Sequence, residues 1–201
     1  IDGILKSREV QKDEAIELLS SVKDEPRVGE GASLLLAEIY ARQKKFEQAA
    51  EVLRDAIERN GSYRPRLQLI HLYLLTNQWQ KAEAQVEEFS TRRQAERQAI
   101  EALAQLLLQF RRYDAALSLA LKNLELHPES VVLHQAAATV YMRKNLPENA
   151  QSYAEECLLL DRKNRQAHIM LGRIFYGRAM GRKDLPASDR TALLDRAASA
   201  L

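Results

Sequence analysis

Residues 36–56 read LAEIYARQKKFEQAAEVLRDA, and the spacing of their apolar and small side chains decides the fold. Leu36 and Tyr40 are one helical turn apart, as are Ala49 and Leu53, so each pair lies on one face of a helix. The polar run at 42–45 separates the two pairs. The stretch therefore predicts two short helices joined by a tight turn.

The same arrangement recurs along the chain with a period of 33 or 34 residues. One ladder consists of small residues: Ala15, Ala49, Ala82, Ala116 and Ala150. A second ladder, mostly aromatic, lies nine residues before the last four of these and continues once more: Tyr40, Tyr73, Leu107, Tyr141 and Phe175. One helix pair cannot bury its apolar face alone, so the period predicts an all-α fold of stacked helix pairs.

These residues resemble the tetratricopeptide repeat (TPR) family, whose period is about 34 residues. Residues 36–56 and 138–157 carry the clearest match, and the resemblance extends over essentially the whole chain. It implies a right-handed superhelical solenoid of antiparallel helix pairs. We expect one solenoid over residues 1–201, with boundaries at 1–29 (a partial unit), about 30–62, 63–96, 97–130 and 131–164, and 165–201 (an irregular unit).

Two places depart from the family pattern. Ile70 and Phe89 occupy positions where small residues usually let the helices approach, so we expect a wider helix pair in the unit at 63–96. The connection Gly177–Ser188 contains three residues that disfavour helices, including Pro186. We therefore expect a final helix at roughly Asp189–Leu201 that fits the repeat poorly.

The composition suits a folded helical protein: 46% of residues are hydrophobic, 29% are charged, and there are only 7 Gly and 5 Pro. The formal net charge is +2, but residues 1–60 carry −3 and residues 161–201 carry +5. No apolar run approaches the ~18 residues of a membrane span. The chain starts and ends within helical patterns, so we expect a fragment of a longer, bacterial-type protein. Its compartment stays open between the bacterial periplasm or envelope and the cytoplasm.

Few residues suggest chemistry. His134 and His168 share a register in adjacent repeats, but a metal site needs three or four ligands and no third candidate has suitable spacing. The single cysteine, Cys157, is interpreted as a core thiol. Phosphate loops, zinc-binding motifs and nucleophile elbows are missing from the sequence. We predict no catalytic, cofactor-binding or metal-binding residues, and we do not expect an enzyme.

The residue three positions before the ladder alanine is aromatic in three of the units: Phe46, Trp79 and Tyr113. An exposed aromatic stripe of this kind could bind a ligand. The register of the family instead places these side chains between helices, so we interpret them as core.

The resemblance also implies a binding surface, because the first helix of each pair lines the concave face in this family. Projecting that register gives a candidate partner-binding groove: Leu34, Glu38, Arg42, Arg64, Leu67, His71, Leu75, Glu101, Gln105, Gln135, Thr139, Met142, Arg143, Ile169, Arg173 and Tyr176, with Gln98, Gln109 and Gln166 alongside. Some family members grip a C-terminal carboxylate with a Lys and an Asn one turn apart. The corresponding pairs here are Leu34/Glu38, Leu67/His71 and Glu101/Gln105, so that clamp is absent.

The sequence thus favours a protein–protein interaction scaffold that binds a peptide or helix of a partner. By the habits of the family, a role in assembling a bacterial envelope, secretion or exopolysaccharide complex is the expectation. Two alternatives stay open. One is a helical-repeat nucleic-acid binder, although the groove lacks a regular polar code. The other is a substrate-recruiting arm of an enzyme whose catalytic domain lies outside this sequence.

Overall fold

The computed structural model describes residues 13–60, 62–91, 97–181 and 185–200. These residues contain no strand and form eleven helical segments: α1 (13–22), α2 (Gly29–Arg42), α3 (Phe46–Asn60), α4 (Tyr63–Leu75), α5 (Trp79–Thr91), α6 (Arg97–Gln109), α7 (Tyr113–Leu124), α8 (Val131–Arg143), α9 (Pro147–Leu160), α10 (Arg165–Gly181) and α11 (Ala187–Ser199). The prediction of an all-α helical-repeat fold is confirmed. None of the described helices combines the length and apolar character needed to cross a bilayer.

The period of the sequence is the period of the helices. The first helices of the five pairs, α2, α4, α6, α8 and α10, begin at intervals of 34 residues. Contacts divide the described residues into two compact units, which we call unit 1 (13–91) and unit 2 (97–200). Within unit 1, α2 packs on α3 and also on α4; within unit 2, α6 packs on α7 and also on α8. The first helices α2 and α4 therefore lie side by side in unit 1, as do α6 and α8 in unit 2.

The turn inside each pair has the same hydrogen-bonded geometry four times over. The residue in the left-handed region is Lys44, Asn77, Arg111 or Asn145, with φ between 57° and 61°. Its N–H donates to a carbonyl three residues back, and the next N–H donates to a carbonyl five residues back, as from Lys45 to Tyr40 at 2.9 Å. This is the Schellman motif, which satisfies the last carbonyls of a helix.

The motif also explains why the two ladders are nine residues apart. The N–H of Lys45 donates to the carbonyl of Tyr40, and the carbonyl of Lys45 accepts from the N–H of Ala49 at 3.1 Å. Gln78, Arg112 and Leu146 make the same two backbone bonds in the later turns. One residue therefore ties the end of the first helix to the start of the second, and the ladder alanines at 49, 82, 116 and 150 are at most 1% exposed.

Three of the described helices that follow a connection between pairs begin with a side-chain cap. The hydroxyl of Ser62 accepts from the N–H of Arg64, the hydroxyl of Ser130 from that of Leu133 at 3.2 Å, and the amide oxygen of Asn164 from that of Ala167 at 2.9 Å. Short polar side chains at this position satisfy N–H groups that a helix start leaves unpaired. Caps at 62, 130 and 164 follow the 34-residue period.

Unit 2 ends differently from the sequence expectation. The connection predicted at Gly177–Ser188 is shorter, because α10 continues through Gly177 to Gly181, and α11 begins at Ala187 rather than Asp189. A glycine inside a helix costs only about 0.5–1 kcal/mol. Ala179, which is fully buried, extends the core-facing side of α10 past Phe175 and keeps this segment helical.

The unit predicted to be wide, at 63–96, fills its interior with the large side chains noted above. Ile70 is fully buried and Phe89 is 4% exposed. Arg66 lies in the same interior, 3% exposed, where its guanidinium contacts Gln85 Oε1 and Glu88 Oε2, each at 2.9 Å. Burial of that charge is tolerable because it is paired. The greater separation of α4 from α5 stays a prediction.

Candidate functional site

The first helices of unit 1 border a cavity of about 270 Å³, which we call the unit 1 cavity. Its wall is mostly apolar and takes residues from α2, α3 and α4: Ala37, Glu38, Ala41, Arg42, Phe46, Ala49, Leu53, Gln68, His71, Leu72 and Leu75. Four of these belong to the predicted groove: Glu38, Arg42, His71 and Leu75. Leu75 is 59% exposed, so the rim presents an apolar side chain to solvent.

Charge at the unit 1 cavity is balanced locally. The guanidinium of Arg42 donates to Glu38 Oε1 at 2.5 Å, one turn away on α2. Burial lowers the pKa of His71 from its usual value, which favours the neutral imidazole. A neutral histidine, a paired carboxylate and several aliphatic side chains make a site suited to an apolar group.

Unit 2 has a comparable cavity of about 230 Å³, the unit 2 cavity, between α8 and α10. It is lined by Thr139, Met142, Arg143, Gln166, Ile169, Met170 and Arg173. All of these except Met170 were predicted as groove residues. The hydroxyl of Thr139 donates to the carbonyl of Gln135 at 2.7 Å, which fixes its orientation on α8.

Electrostatics distinguish the second cavity from the first. Arg143 and Arg173 are exposed, and neither makes an ion pair or hydrogen bond with another residue that the structure describes. No acidic side chain lines the cavity. The unit 2 cavity therefore combines the apolar side chains of Met142, Ile169 and Met170 with two arginines that lack a carboxylate partner within the described chain.

Other predicted groove residues lie outside both linings. Leu34 and Leu67 are half-buried, and the carbonyl of Leu34 accepts from the Gln68 side chain at 3.1 Å. The remaining ones are exposed at Arg64, Gln105 and Tyr176 and half-buried at Gln135.

Glu101 has a structural contact that the sequence did not indicate. Its carboxylate accepts from the hydroxyl of Ser130 at 2.6 Å and lies 3.7 Å from the guanidinium nitrogen of Arg97. Ser130 is the N-cap of α8, so Glu101 on α6 supports the start of the next first helix. This role competes with partner binding for the same carboxylate.

Residues missed by the sequence reasoning complete the cavity walls. Gln68 and Met170 occupy equivalent positions, five residues before Tyr73 and Phe175. Phe46 opens α3 and is half-buried in the wall of the unit 1 cavity, where we had predicted only core packing. Trp79 and Tyr113, which open α5 and α7, are also half-buried.

The two histidines make local contacts. The ring nitrogen Nε2 of His134 lies 2.8 Å from the carbonyl of Pro128, and that of His168 lies 2.9 Å from the carbonyl of Arg162. A carbonyl only accepts, so each ring donates to the connection six residues earlier. The described ranges contain no group of three or more His, Cys, Asp or Glu side chains placed to hold a metal ion.

Cys157 lies in the core of unit 2. Its side chain is fully buried, and the thiol points to the carbonyl of Val131 at 3.6 Å. Burial, with smaller effects from Asp161 and Glu156, raises the pKa of this thiol to about 11. The protonated thiol is a poor nucleophile.

Comparison with known proteins agrees with this architecture. Profiles described as "Tetratricopeptide repeat" match residues 11–65 and residues 132–164. A comparison with curated protein sequences finds no match.

Solved structures are similar in fold. MamA (41 to the end) from Desulfovibrio magneticus RS-1 is 14% identical over 85% of this chain and 92% of its own, with a TM-score of 0.57. PilF of Pseudomonas aeruginosa is 18% identical over 95% and 78%, with a TM-score of 0.55. YrrB, a TPR protein, is 14% identical over 92% and 93%, with a TM-score of 0.54. Two profile matches, these folds and the 34-residue helical period support a tandem tetratricopeptide-repeat protein.

Proposed function

We propose that this chain is a protein-interaction scaffold that binds a peptide or helix of a partner protein on the first helices of its pairs. The observation that carries the proposal is a cavity in the same register of each unit. In both cavities, the earlier of the two first helices contributes the residues two positions before, one position after and two positions after its aromatic-ladder residue, Tyr40 or Tyr141. The first helix of the following pair contributes the residues five and two positions before its own ladder residue, Tyr73 or Phe175.

The size and lining of the cavities favour side chains as their occupants. Volumes of about 270 and 230 Å³ are below the ~300–1,000 Å³ usual for small-molecule and cofactor sites. A partner segment anchored by a few apolar side chains, with polar contacts at the rim, matches such surfaces. A site for partner side chains also agrees with our expectation that the chain is not an enzyme.

YrrB is described as having an unusual peptide-binding site, and peptide binding is carried to this chain as part of the proposal. The finer proposal is a role in assembling a bacterial envelope, secretion or exopolysaccharide complex, supported by the resemblance to bacterial repeat proteins. The nucleic-acid alternative has less support, because the unit 1 cavity is apolar and its charges are paired.

The test uses affinity capture from a cell lysate with the full chain and two cavity variants, His71→Glu/Leu75→Glu and Met142→Glu/Ile169→Glu. Each variant places two carboxylates at apolar parts of a cavity wall. The amount of captured partner should therefore fall at least about tenfold, which corresponds to about 1.4 kcal/mol of binding free energy. Helicity by circular dichroism should stay unchanged, because these residues lie at the surface or rim.

The matched control is Leu126→Glu/Leu159→Glu. These leucines are 68% and 75% exposed and lie outside both cavities. If both cavity variants capture the same partners as the unaltered chain, the first helices are not the binding surface. Equal loss in the control would point to a general effect of charge.

A further inference from the structure

The first helices that border the unit 2 cavity are one-sided in charge. α8 and α10 together contain four arginines and no aspartate or glutamate. The acidic residues of the neighbouring helix α9, Glu148, Glu155 and Glu156, are exposed on the second helix of the pair. Charge is therefore segregated between the first and second helices here.

Two of the four arginines reach the cavity. Arg143 ends α8 and Arg173 lies in the middle of α10, and both contribute to the lining around Met142, Ile169 and Met170. A third, Arg178, is already engaged with Gln151 at 2.5 Å and with Glu148 at 3.5 Å. Arg143 and Arg173 have no ion-pair or hydrogen-bond partner among the described residues, and neither has Arg165, which lies outside the cavity.

We propose that the unit 2 cavity binds an internal segment of a partner protein in which an apolar side chain is flanked by acidic side chains. The inference rests on the proposed function and names the partner chemistry at one of its two sites. The apolar side chain contacts Met142, Ile169 and Met170. The flanking carboxylates accept charge-assisted hydrogen bonds from Arg143 and Arg173, which present planar donor groups suited to carboxylates.

Charge complementarity is the reason for an acidic occupant. A neutral apolar segment would leave both guanidinium groups partly desolvated beside it without compensation, which is costly. We assign the carboxylates to side chains, because the positions of the terminus-gripping Lys and Asn pair read Gln135/Thr139 and Ile169/Arg173 at this cavity. The unit 1 cavity, whose Arg42 is paired with Glu38, has no such requirement.

The full chain is used to select binders from a display library of random 12-residue peptides. Each peptide is flanked on both sides by the displaying protein, so that it has no free terminus. Selected peptides are then made with C-terminal amides and measured by fluorescence anisotropy. We expect acidic peptides with one or two apolar residues. Arg143→Glu/Arg173→Glu should weaken their binding by at least about tenfold, and raising the salt from about 0.05 to 0.5 M should weaken it as well.

A matched charge reversal, Arg162→Glu/Arg165→Glu, controls for net charge, because both arginines are exposed and outside the cavity. Equal weakening by this control would overturn the inference. It would also be overturned if a labelled single-stranded 12-mer oligonucleotide bound more tightly than the peptides and lost binding in Arg143→Glu/Arg173→Glu.

Failure of the inference and failure of the proposed function give different results. If selected peptides lack acidic residues and lose binding only in Leu75→Glu, the scaffold function stands and the acidic specificity is wrong. If no peptide is enriched above an immobilised unrelated protein, both fail.

Discussion

At the scale of single residues, the four left-handed turn positions carry the repeat. They are occupied by Lys44, Asn77, Arg111 and Asn145, none of which is glycine. An L-residue with a Cβ atom is less stable in this conformation by roughly 1–2 kcal/mol. The hydrogen bonds of the Schellman motif offset that cost four times in one chain. Asparagine at 77 and 145 is a usual residue for a positive φ, but lysine at 44 and arginine at 111 give no signal for it in the sequence.

Arg111 provides the test of this strain. It is exposed, with φ at 57°, so its side chain contributes little packing. Arg111→Gly should raise the free energy of unfolding by up to about 1 kcal/mol, because relief of strain exceeds the extra flexibility of the unfolded chain. Arg111→Val should lower it by about 1–2 kcal/mol, because branching at Cβ is disfavoured at a positive φ beyond the cost that arginine already carries.

Urea unfolding monitored by circular dichroism measures both changes. Arg162→Gly and Arg162→Val serve as controls at an exposed position without a positive φ. Equal stabilities for the glycine and valine variants at 111 would show that the turn relaxes without cost.

At the scale of helices, starts were more predictable than ends. Ser62 and Ser130, the last residues of two predicted units, cap α4 and α8, since serine is a favoured cap. The end of α10 was predicted too early, because Gly177 was weighted as a helix breaker. Burial of Ala179 outweighs the propensity of a single exposed glycine, and burial is not visible in local sequence.

The cap at Ser130 joins two helices and should be the most costly to remove. Its hydroxyl accepts from Leu133 N–H and donates to Glu101, and the residue is 1% exposed. Ser130→Ala should lower the free energy of unfolding by about 2 kcal/mol, since the cap is lost and a carboxylate loses its partner.

Thermal and urea unfolding of Ser130→Ala measure this cost, with Ser152→Ala as the control. Ser152 is exposed in α9 and donates only to a carbonyl of its own helix. Glu101→Gln should recover part of the loss in the Ser130→Ala background, because a neutral amide is cheaper to leave unpaired than a carboxylate. A loss no larger than that of Ser152→Ala would rule out the bridging role.

At the scale of the whole molecule, a buried thiol in the core of unit 2 makes the free energy of unfolding depend on pH in the alkaline range. Burial raises the pKa of Cys157 to about 11 in the folded chain, above the ordinary value of 9.0 for a cysteine in an unfolded chain. Above pH 9 the unfolded state therefore binds fewer protons than the folded state. By linkage, this stabilising contribution is present below pH 9 and is lost as the pH rises through 11.

Unfolding free energies between pH 8 and pH 11 test this prediction. The unaltered chain should lose stability with a steeper slope than Cys157→Ala, whatever the offset caused by the missing sulfur. Tyr153, whose pKa is raised by burial and by Tyr141, contributes to the slope of both proteins and cancels in the comparison. Parallel slopes would mean that the thiol ionises without unfolding.

The sequence predicted which helices border the cavities but not how each cavity is closed. Register placed Glu38 and His71 on the first helices of unit 1 and Thr139 and Arg173 on those of unit 2, because a 34-residue period keeps equivalent positions in equivalent helices. It could not reveal that Glu101 is held by Ser130, or that Arg42 is paired while Arg143 and Arg173 have no partner among the described residues. Those differences depend on side-chain geometry across neighbouring helices.

The shared turn geometry has a consequence for how such a chain can change length during evolution. The residue at 45, 78, 112 or 146 links the two helices of its pair through backbone hydrogen bonds alone. Almost any side chain is therefore compatible with this position. A tandem duplication or deletion of one 34-residue segment therefore rejoins two compatible ends wherever the breakpoint falls within the repeat. Recombination can add or remove a cavity as a whole, while point mutations adjust the chemistry of each cavity independently.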